Sequence, residues 1–375
     1  MAEWFGKEVF KLGFGLMRLP KNADGSMDIG QISKMADAFI AAGGTYFDTA
    51  YVYDDGRSEA AFKEAVADRY PRDAYTLCTK LNAWTASCHN EADARQQFYT
   101  SLERTCVGYF DYYLLHAIQR NNLHFYDDYH LWDFVKEQKE KGLIKHWGFS
   151  FHADAEFLDE LLTQHPDVDF IQLQINYADM ENPSVQSRAC YEVARRHGKS
   201  ITVMEPVKGG ALADPIPQVK EIFAKVHPDM SPASWAIRYT AGMEGILTVL
   251  SGMSIMAHME DNLSYMKDFK PLDETEQAAV QAAIQAMNEV ENIKCTSCHY
   301  CTEGCPMNIP IPEIFSARNQ QLVYNNNNGA RRSYGFATNG KGHAGDCIQC
   351  GQCEGACPQH LPIIELLQAC AANLE

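Results

Sequence analysis

Two copies of one cysteine spacing constrain this chain more than anything else in it. The stretch "KCTSCHYCTEGCP" from Lys294 sets Cys295, Cys298, Cys301 and Cys305 ahead of Pro306. The stretch "DCIQCGQCEGACP" from Asp346 repeats the arrangement with Cys347, Cys350, Cys353, Cys357 and Pro358. Each run reads C-x2-C-x2-C-x3-C-P. A loop this tight lets thiolates surround a metal cluster corner by corner, and thiolate sulfur suits iron–sulfur clusters. Two C-x2-C pairs can also build a four-thiolate zinc site. The fourth cysteine followed by proline, twice over, favours iron and sulfur, and the three-cysteine spacing of a radical enzyme is absent. The tail from residue 294 to 375 is therefore a small unit folded around metal, and the remaining chain must be something else.

That remainder is long enough for one large domain. Hydrophobic residues make up 46% of the chain and charged residues 22%, which allows a sizeable core. The N-terminus "MAEWFGKEVFKLGFG" has neither a basic region nor an apolar run of the signal-peptide kind. No stretch approaches the roughly 18 apolar residues of a membrane helix. A cytoplasmic location is expected, with no membrane partner. The net charge of -17 argues against nucleic acid. It would also repel an acidic electron carrier unless a local basic patch existed. Arg331 and Arg332, between the cysteine runs, form one small patch and read as part of a solvated loop. Of the 13 cysteines, Cys78, Cys88, Cys106, Cys190 and Cys370 lie outside the two runs and read as small buried hydrophobes in a reducing compartment.

Along the first 270 residues a short β-rich run recurs, each followed by a longer helical pattern. The runs are "KLGFG", "TYFDTA", "YTLCTK", "DYYLLH", "KHWGFS", "FIQLQI", "SITVMEP" and "GILTVLSG". They are apolar or β-branched, as in strands buried on both faces. Between them lie patterns such as "IGQISKMADAFIAAGG", with Ile32, Met35, Ala36 and Phe39 on one face and a Gly43-Gly44 stop. Alternation repeated eight times predicts an α/β fold, a (β/α)8 TIM barrel over 1–270. A linker helix over 271–293 and a small C-terminal iron–sulfur domain over 294–375 follow. The first strand carries no GxGxxG fingerprint, which speaks against a Rossmann fold. The run "NNNNG" at Asn325 reads as a low-complexity loop.

Chemistry in such a barrel sits at the C-terminal ends of the strands. Asp48 ends the second run with Tyr53 just beyond, Lys80 ends the third, and His116 ends the fourth. Together they form a set built to hand a proton to a carbonyl oxygen. A nearby ammonium is expected to lower the phenol pKa of Tyr53, Asp48 to hold Lys80 charged, and His116 to orient the oxygen. After His116, Phe125, Tyr126, Tyr129 and Trp132 are expected to line a substrate pocket, with Trp84 beside them.

On "FDTAYVY", "TLCTKL" and "YYLLH", residues 1–270 resemble an aldo-keto reductase. The resemblance implies that Tyr53 is the general acid, tuned by Lys80 and Asp48, with His116 polarising a small carbonyl or alcohol substrate. It implies a nicotinamide lying across the barrel mouth without a glycine-rich loop. Ser150 in "WGFSFH" and Gln172 in "FIQLQINY" resemble the pair that bonds the carboxamide. "MEPVKGGAL", with Glu205, Pro206, Val207 and Gly209, resembles the loop over the pyrophosphate. "SGMSIMAHMEDNL", with Ser251, Gly252, Met253, His258, Asp261 and Asn262, resembles the adenosine segment. Two departures stand out. Phe151 and His152 replace the asparagine that usually follows the serine, and the adenosine segment offers no Lys or Arg for a 2′-phosphate, only His258. NADH, or weak discrimination between NADH and NADPH, is expected. Histidine at 116 favours carbonyl and alcohol interconversion over reduction of a conjugated double bond.

The cysteine runs resemble a bacterial ferredoxin with two [4Fe-4S] clusters, in which the fourth cysteine of each run serves the other cluster. The implied quartets are Cys295, Cys298, Cys301 with Cys357, and Cys347, Cys350, Cys353 with Cys305. The span 306–346 between the runs is longer than in a minimal ferredoxin. Clusters move single electrons and nicotinamide moves a hydride, so three arrangements are open. A partner such as a ferredoxin feeds the barrel, which requires a flavin as converter; the barrel exports electrons through the clusters; or the clusters are structural or redox-sensing. In the last arrangement the barrel runs ordinary nicotinamide chemistry; the alternative reading is an electron-carrier or redox-sensing module whose barrel is mainly a scaffold.

Overall fold

A computed structural model describes residues 2–4, 7–183 and 185–375. Eight parallel strands close into a barrel in sequence order. They are β1 Leu12–Gly15, β2 Tyr46–Asp48, β3 Thr76–Leu81, β4 Phe110–Ile118, β5 Ile144–Phe151, β6 Phe170–Gln174, β7 Ser200–Met204 and β8 Ile246–Ser251. Every expected run is a strand, and β8 returns to pair with β1 at Val249 and Leu12. A short antiparallel hairpin, Ala2–Trp4 with Lys7–Val9, precedes the barrel.

The strands are buried on both sides because each face meets apolar matter. Inside, Tyr46, Cys78, Tyr112, Leu114, Phe170 and Leu247 fill the lumen, with Tyr46 and Tyr112 stacked 4.9 Å apart. Outside, helices cover the sheet. The helix Ile29–Ala41 starts at Asp28, whose carboxylate accepts from the Gln31 N–H at 2.9 Å. It buries Ile32, Met35, Ala36 and Phe39, the face its spacing foretells. Phe39 then meets Phe47 edge-to-face at 5.3 Å.

Beyond β5 the helix Ala155–Gln164 begins at Asp154, which accepts from the Phe157 N–H at 2.9 Å and pairs with Arg120 at 2.8 Å. The Arg120 bond holds its carboxyl down at about 2. Replacing Asp154 with alanine should cost about 1 kcal/mol of stability, the usual worth of an N-cap. The depressed pKa sets the sign. The contribution is complete above the ordinary carboxylate range and fades as pH falls through about 2. Thermal melts of wild type and Asp154→Ala at pH 7 and at acid pH should therefore converge as the pH falls.

Residues 1–206 and 234–272 form one compact unit, and 207–233 with 273–375 form a second. In the second, the expected linker is the helix Glu274–Glu289, opened by a capping box of Asp273 and Glu276 and packed on the helix Pro217–Val226. The tail has its own core of Ile309, Ile311, Ile314, Phe315, Tyr334, Ile363 and Leu367. The asparagine tract is not a loop. Asn325, at φ 53°, ends the helix Ile311–Tyr324, and the Asn326 side chain caps the helix Asn327–Thr338 by accepting from the Gly329 N–H at 2.9 Å. Asparagine suits both jobs, tolerating the left-handed region and accepting at an N-cap. Arg331 and Arg332 consequently sit on a helix. Of the five cysteines outside the runs, four are buried and Cys106 is exposed. Among the described residues no helix is long and apolar enough to cross a membrane.

Candidate functional site

Four groups named by the sequence converge at one rim of the barrel. Asp48 is the last residue of β2, and pairing of β2 with β3 sets it beside Cys78, two positions before Lys80. The Lys80 ammonium is fully buried, donating to Asp48 Oδ1 at 2.5 Å and to the Thr49 carbonyl at 2.6 Å. Its Nζ lies 4.9 Å from the centre of the Tyr53 ring, and that ring meets His116 edge-on at 5.7 Å. His116 Nδ1 is buried without a partner among the described residues, while the His116 carbonyl accepts from the Tyr126 hydroxyl at 2.5 Å.

Burial and charge oppose each other here. Desolvation acts to lower Lys80, but the Asp48 carboxylate outweighs it, and the Lys80 pKa rises. Desolvation and the Lys80 charge both push His116 well below the usual imidazole range, so it is neutral. Tyr53 corrects a sequence expectation. Lys80 does pull the phenol down, yet burial outweighs it, with Asp48 adding to the rise. The phenol is held above its ordinary value and keeps its proton at neutral pH.

Residues the sequence did not single out fix the Tyr53 loop. Asp54, Asp55 and Gly56 all take positive φ, a sharp reversal after Tyr53. Arg104 lies under it, donating to the Tyr51 carbonyl at 3.1 Å and to Glu59 at 3.2 Å. Glu59, buried, accepts from Thr79 on β3 at 2.7 Å. Gly56 takes φ 83°, a conformation that side chains rarely adopt, which favours glycine beside the Arg104 guanidinium. A carboxylate inside an otherwise apolar helix face was the available signal for this network.

The expected cofactor residues divide into groups. Ser150 and Gln172 are direct partners on β5 and β6. Gln172 donates to Asp48 Oδ2 at 3.2 Å, and Ser150 accepts from the Ala117 N–H at 2.7 Å. Each keeps further bonding capacity at the rim, Gln172 through its carbonyl and Ser150 through its hydroxyl hydrogen, which fits a carboxamide. Phe151 is buried and His152 is exposed beside a cavity lined by Ala153, Leu173, Gln174 and Cys190. Glu205, at φ 56°, faces Arg18 at 3.5 Å and is followed by Pro206. Val207 and Gly209 belong to the second compact unit. Asn262 is buried and engaged on both sides, donating to Ser251 at 2.8 Å and accepting from Tyr265 at 2.5 Å. Gly252 and Met253 follow Ser251, and Asp261 lies on the helix Met256–Met266. His258 Nδ1 accepts from the Ser254 N–H at 3.3 Å.

The aromatic wall is thinner than expected. Tyr126 and Trp132 are buried, and Trp132 stacks flat on His165 at 3.8 Å, so both pin the loop down. Phe125 and Tyr129 are partly exposed, and Trp84 is 42% exposed.

In the tail, Cys295, Cys298, Cys301 and Cys357 line one cavity with Ile311, Phe315 and Leu361. Cys305, Cys347, Cys350 and Cys353 line another with Ile309, Ile311 and Leu367. Each cavity takes three cysteines from one run and the fourth from the other. Among the described residues no three candidate ligands crowd together tightly enough for a single metal ion. Thiols spread around an apolar cavity fit a cluster with iron at several corners. Burial raises the Cys301 thiol to about 11, so a thiolate there needs neighbouring positive charge.

Residues 11–285 match the model of the aldo/keto reductase family, and residues 294–361 match a 4Fe-4S dicluster domain. An uncharacterized oxidoreductase of Bacillus subtilis, YqkF, is 23% identical over 73% of this chain and 92% of its own length. Aldo-keto reductase str7 of Strobilurus tenacellus is 29% identical over 48% of this chain and 51% of its own. Among solved structures, the holo form of aldo-keto reductase AKR11C1 from Bacillus halodurans superposes with a TM-score of 0.58, at 21% identity over 74% of this chain and 95% of that one. An aldo/keto reductase from Klebsiella pneumoniae, in complex with NADP and acetate, gives 0.58 at 20% identity over 73% and 91%. Likeness at this identity speaks to the barrel alone.

Proposed function

The chain belongs to the aldo/keto reductase family and is an oxidoreductase with a ferredoxin-type 4Fe-4S domain, and from that premise we propose that it interconverts a carbonyl and an alcohol at Asp48, Tyr53, Lys80 and His116. The observation that carries the reading is the buried Lys80 ammonium, held by Asp48 and Thr49 and 4.9 Å from the Tyr53 ring. Tyr53, proton-loaded because burial raises its pKa, donates to the carbonyl oxygen. Lys80 stabilises the phenolate that remains, and Asp48 keeps Lys80 in place. Neutral His116 orients the same oxygen through a ring nitrogen.

Ser150 and Gln172 hold the carboxamide of a nicotinamide, and that group supplies or accepts the hydride. NADH is preferred, because the segment 251–262 contains no Lys or Arg to grip a 2′-phosphate. The two cysteine quartets hold [4Fe-4S] clusters, which supply single-electron storage and connect the protein to a redox partner. A flavin enters the scheme only where partner electrons must become a hydride.

Anaerobically purified protein, titrated with NADH and then NADPH while the visible cluster absorbance is followed, tests this reading. Bleaching by NADH at lower concentration than NADPH is the expected result. If neither nucleotide bleaches the clusters while dithionite does, nicotinamide electrons do not reach them and the link between the two chemistries is wrong.

A further inference from the structure

The span between the cysteine runs carries a charge pattern unlike the rest of the chain. From Ile314 to Gly345 there are four cations, Arg318, Arg331, Arg332 and Lys341, and no carboxylate, within a chain of net charge -17. The helix Asn327–Thr338 buries Ala330, Tyr334 and Thr338 along one side. Arg331, Arg332 and Phe336 are exposed on the other, and Phe336 is 76% exposed, more than any other large hydrophobic described.

The helix is bonded on the side away from this face. Tyr334, on the buried side, donates its hydroxyl to the Glu375 side chain and accepts from the Ala344 N–H at 2.8 Å. Ser333 donates to Gln320 of the preceding helix at 3.1 Å. The span is also tied to the second quartet. Gly342 donates to the Asn308 carbonyl at 3.2 Å, and a Cβ on it would lie 2.2 Å from the Met307 carbonyl oxygen. Met307 and Ile348, 37% and 59% exposed, line that quartet's cavity, and Cys350 of the same quartet is exposed. A lone exposed phenylalanine needs no explanation. One on the same helix as two exposed arginines, in a stretch of an acidic chain that carries no carboxylate of its own and is bonded at Gly342 to the segment beside a cluster cavity, does.

We infer that Arg331, Arg332 and Phe336 form the docking face for a small acidic one-electron carrier protein, which exchanges electrons with the Cys305/Cys347/Cys350/Cys353 quartet. This rests on the electron-relay reading above and names its entry point. The charges complement an acidic partner, and the acidity of the remaining chain steers that partner away from other faces. Arginine and phenylalanine are enriched at the centres of protein interfaces. Each encounter moves one electron, oxidising the carrier as the quartet's cluster is reduced, or the reverse.

The test uses the full-length holoprotein and an oxidised, acidic [2Fe–2S] ferredoxin as probe, titrated for Kd at low and at high salt. Arg331→Glu with Arg332→Glu should weaken binding at low salt by about ten-fold or more, and the salt dependence should largely vanish. Phe336→Ser should weaken it at both salt concentrations. All three side chains are exposed, so cluster absorbance and NADH-dependent carbonyl reduction should stay at wild-type levels. Unchanged Kd in the variants overturns the inference, as does absence of wild-type binding. A charge reversal that alters only self-association also overturns it, because the face then pairs copies of this chain. A stopped-flow arm with pre-reduced ferredoxin separates the two readings. Electron exchange that is equally fast in wild type and variants keeps the relay and sinks the docking face. Salt-sensitive binding lost in the variants, without electron exchange in wild type, keeps the face and sinks the relay.

Discussion

Tyr53→Phe should lower the rate of carbonyl reduction by about 10²–10⁴-fold, the usual range for loss of a positioned acid, while the protein melts where wild type does. The substitution removes one oxygen. The ring stays against Lys80 at 4.9 Å and His116 at 5.7 Å, so packing is unchanged. Lys80 keeps its bonds to Asp48 and Thr49. Single-turnover rates with excess nucleotide would isolate the chemical step, and the cluster absorbance should be that of wild type. Full turnover in the variant would mean that Tyr53 is not the proton donor and that the reaction runs at another site.

Lys80→Met should be costlier to the fold, at about 3–5 kcal/mol, because it strands the buried Asp48 carboxylate. Wild-type Asp48 accepts from Lys80 at 2.5 Å and from Gln172 at 3.2 Å, and only the weaker of these would remain. Activity should fall with stability. The double variant Lys80→Met with Asp48→Leu should recover much of the lost stability and none of the activity, since a buried ion pair replaced by apolar groups of like size is often close to neutral. Denaturant midpoints of the barrel transition read the first quantity and initial rates the second. A Lys80→Met protein as stable as wild type would show that water reaches Asp48 and that the site is wetter than its burial implies.

The barrel is legible in the sequence because its strands are short apolar runs with a helix between each pair, and all eight strand positions follow from that pattern alone. The convergence of Asp48, Lys80 and His116 is legible for a related reason: residues at the same end of parallel strands meet at one rim. What escapes is whatever depends on depth. The sequence shows a lysine near a tyrosine and argues for a lowered phenol pKa, but only the folded chain shows how much water is excluded, and exclusion wins. The Arg104–Glu59–Thr79 network is similarly hidden, since its members lie on three elements and none repeats a motif. The asparagine tract misleads because low complexity resembles disorder, whereas Asn325 and Asn326 are the stop of one helix and the start of the next. The hairpin before the barrel offers three-residue strands, too short to leave a period.

The exchanged cysteine in each cavity bears on how the protein is made. The cavity of Cys295, Cys298 and Cys301 is closed only by Cys357, near the end of the chain, and the cavity of Cys347, Cys350 and Cys353 only by Cys305. A nascent chain that has exposed the first run but not residue 357 has three ligands and no fourth. The first quartet is thus the later of the two to gain its last thiol, since the second is complete in sequence at Cys353. A chain lacking residues 356–375 loses Cys357 but keeps Cys305, Cys347, Cys350 and Cys353, so the first cavity is left with three thiols and the second with four.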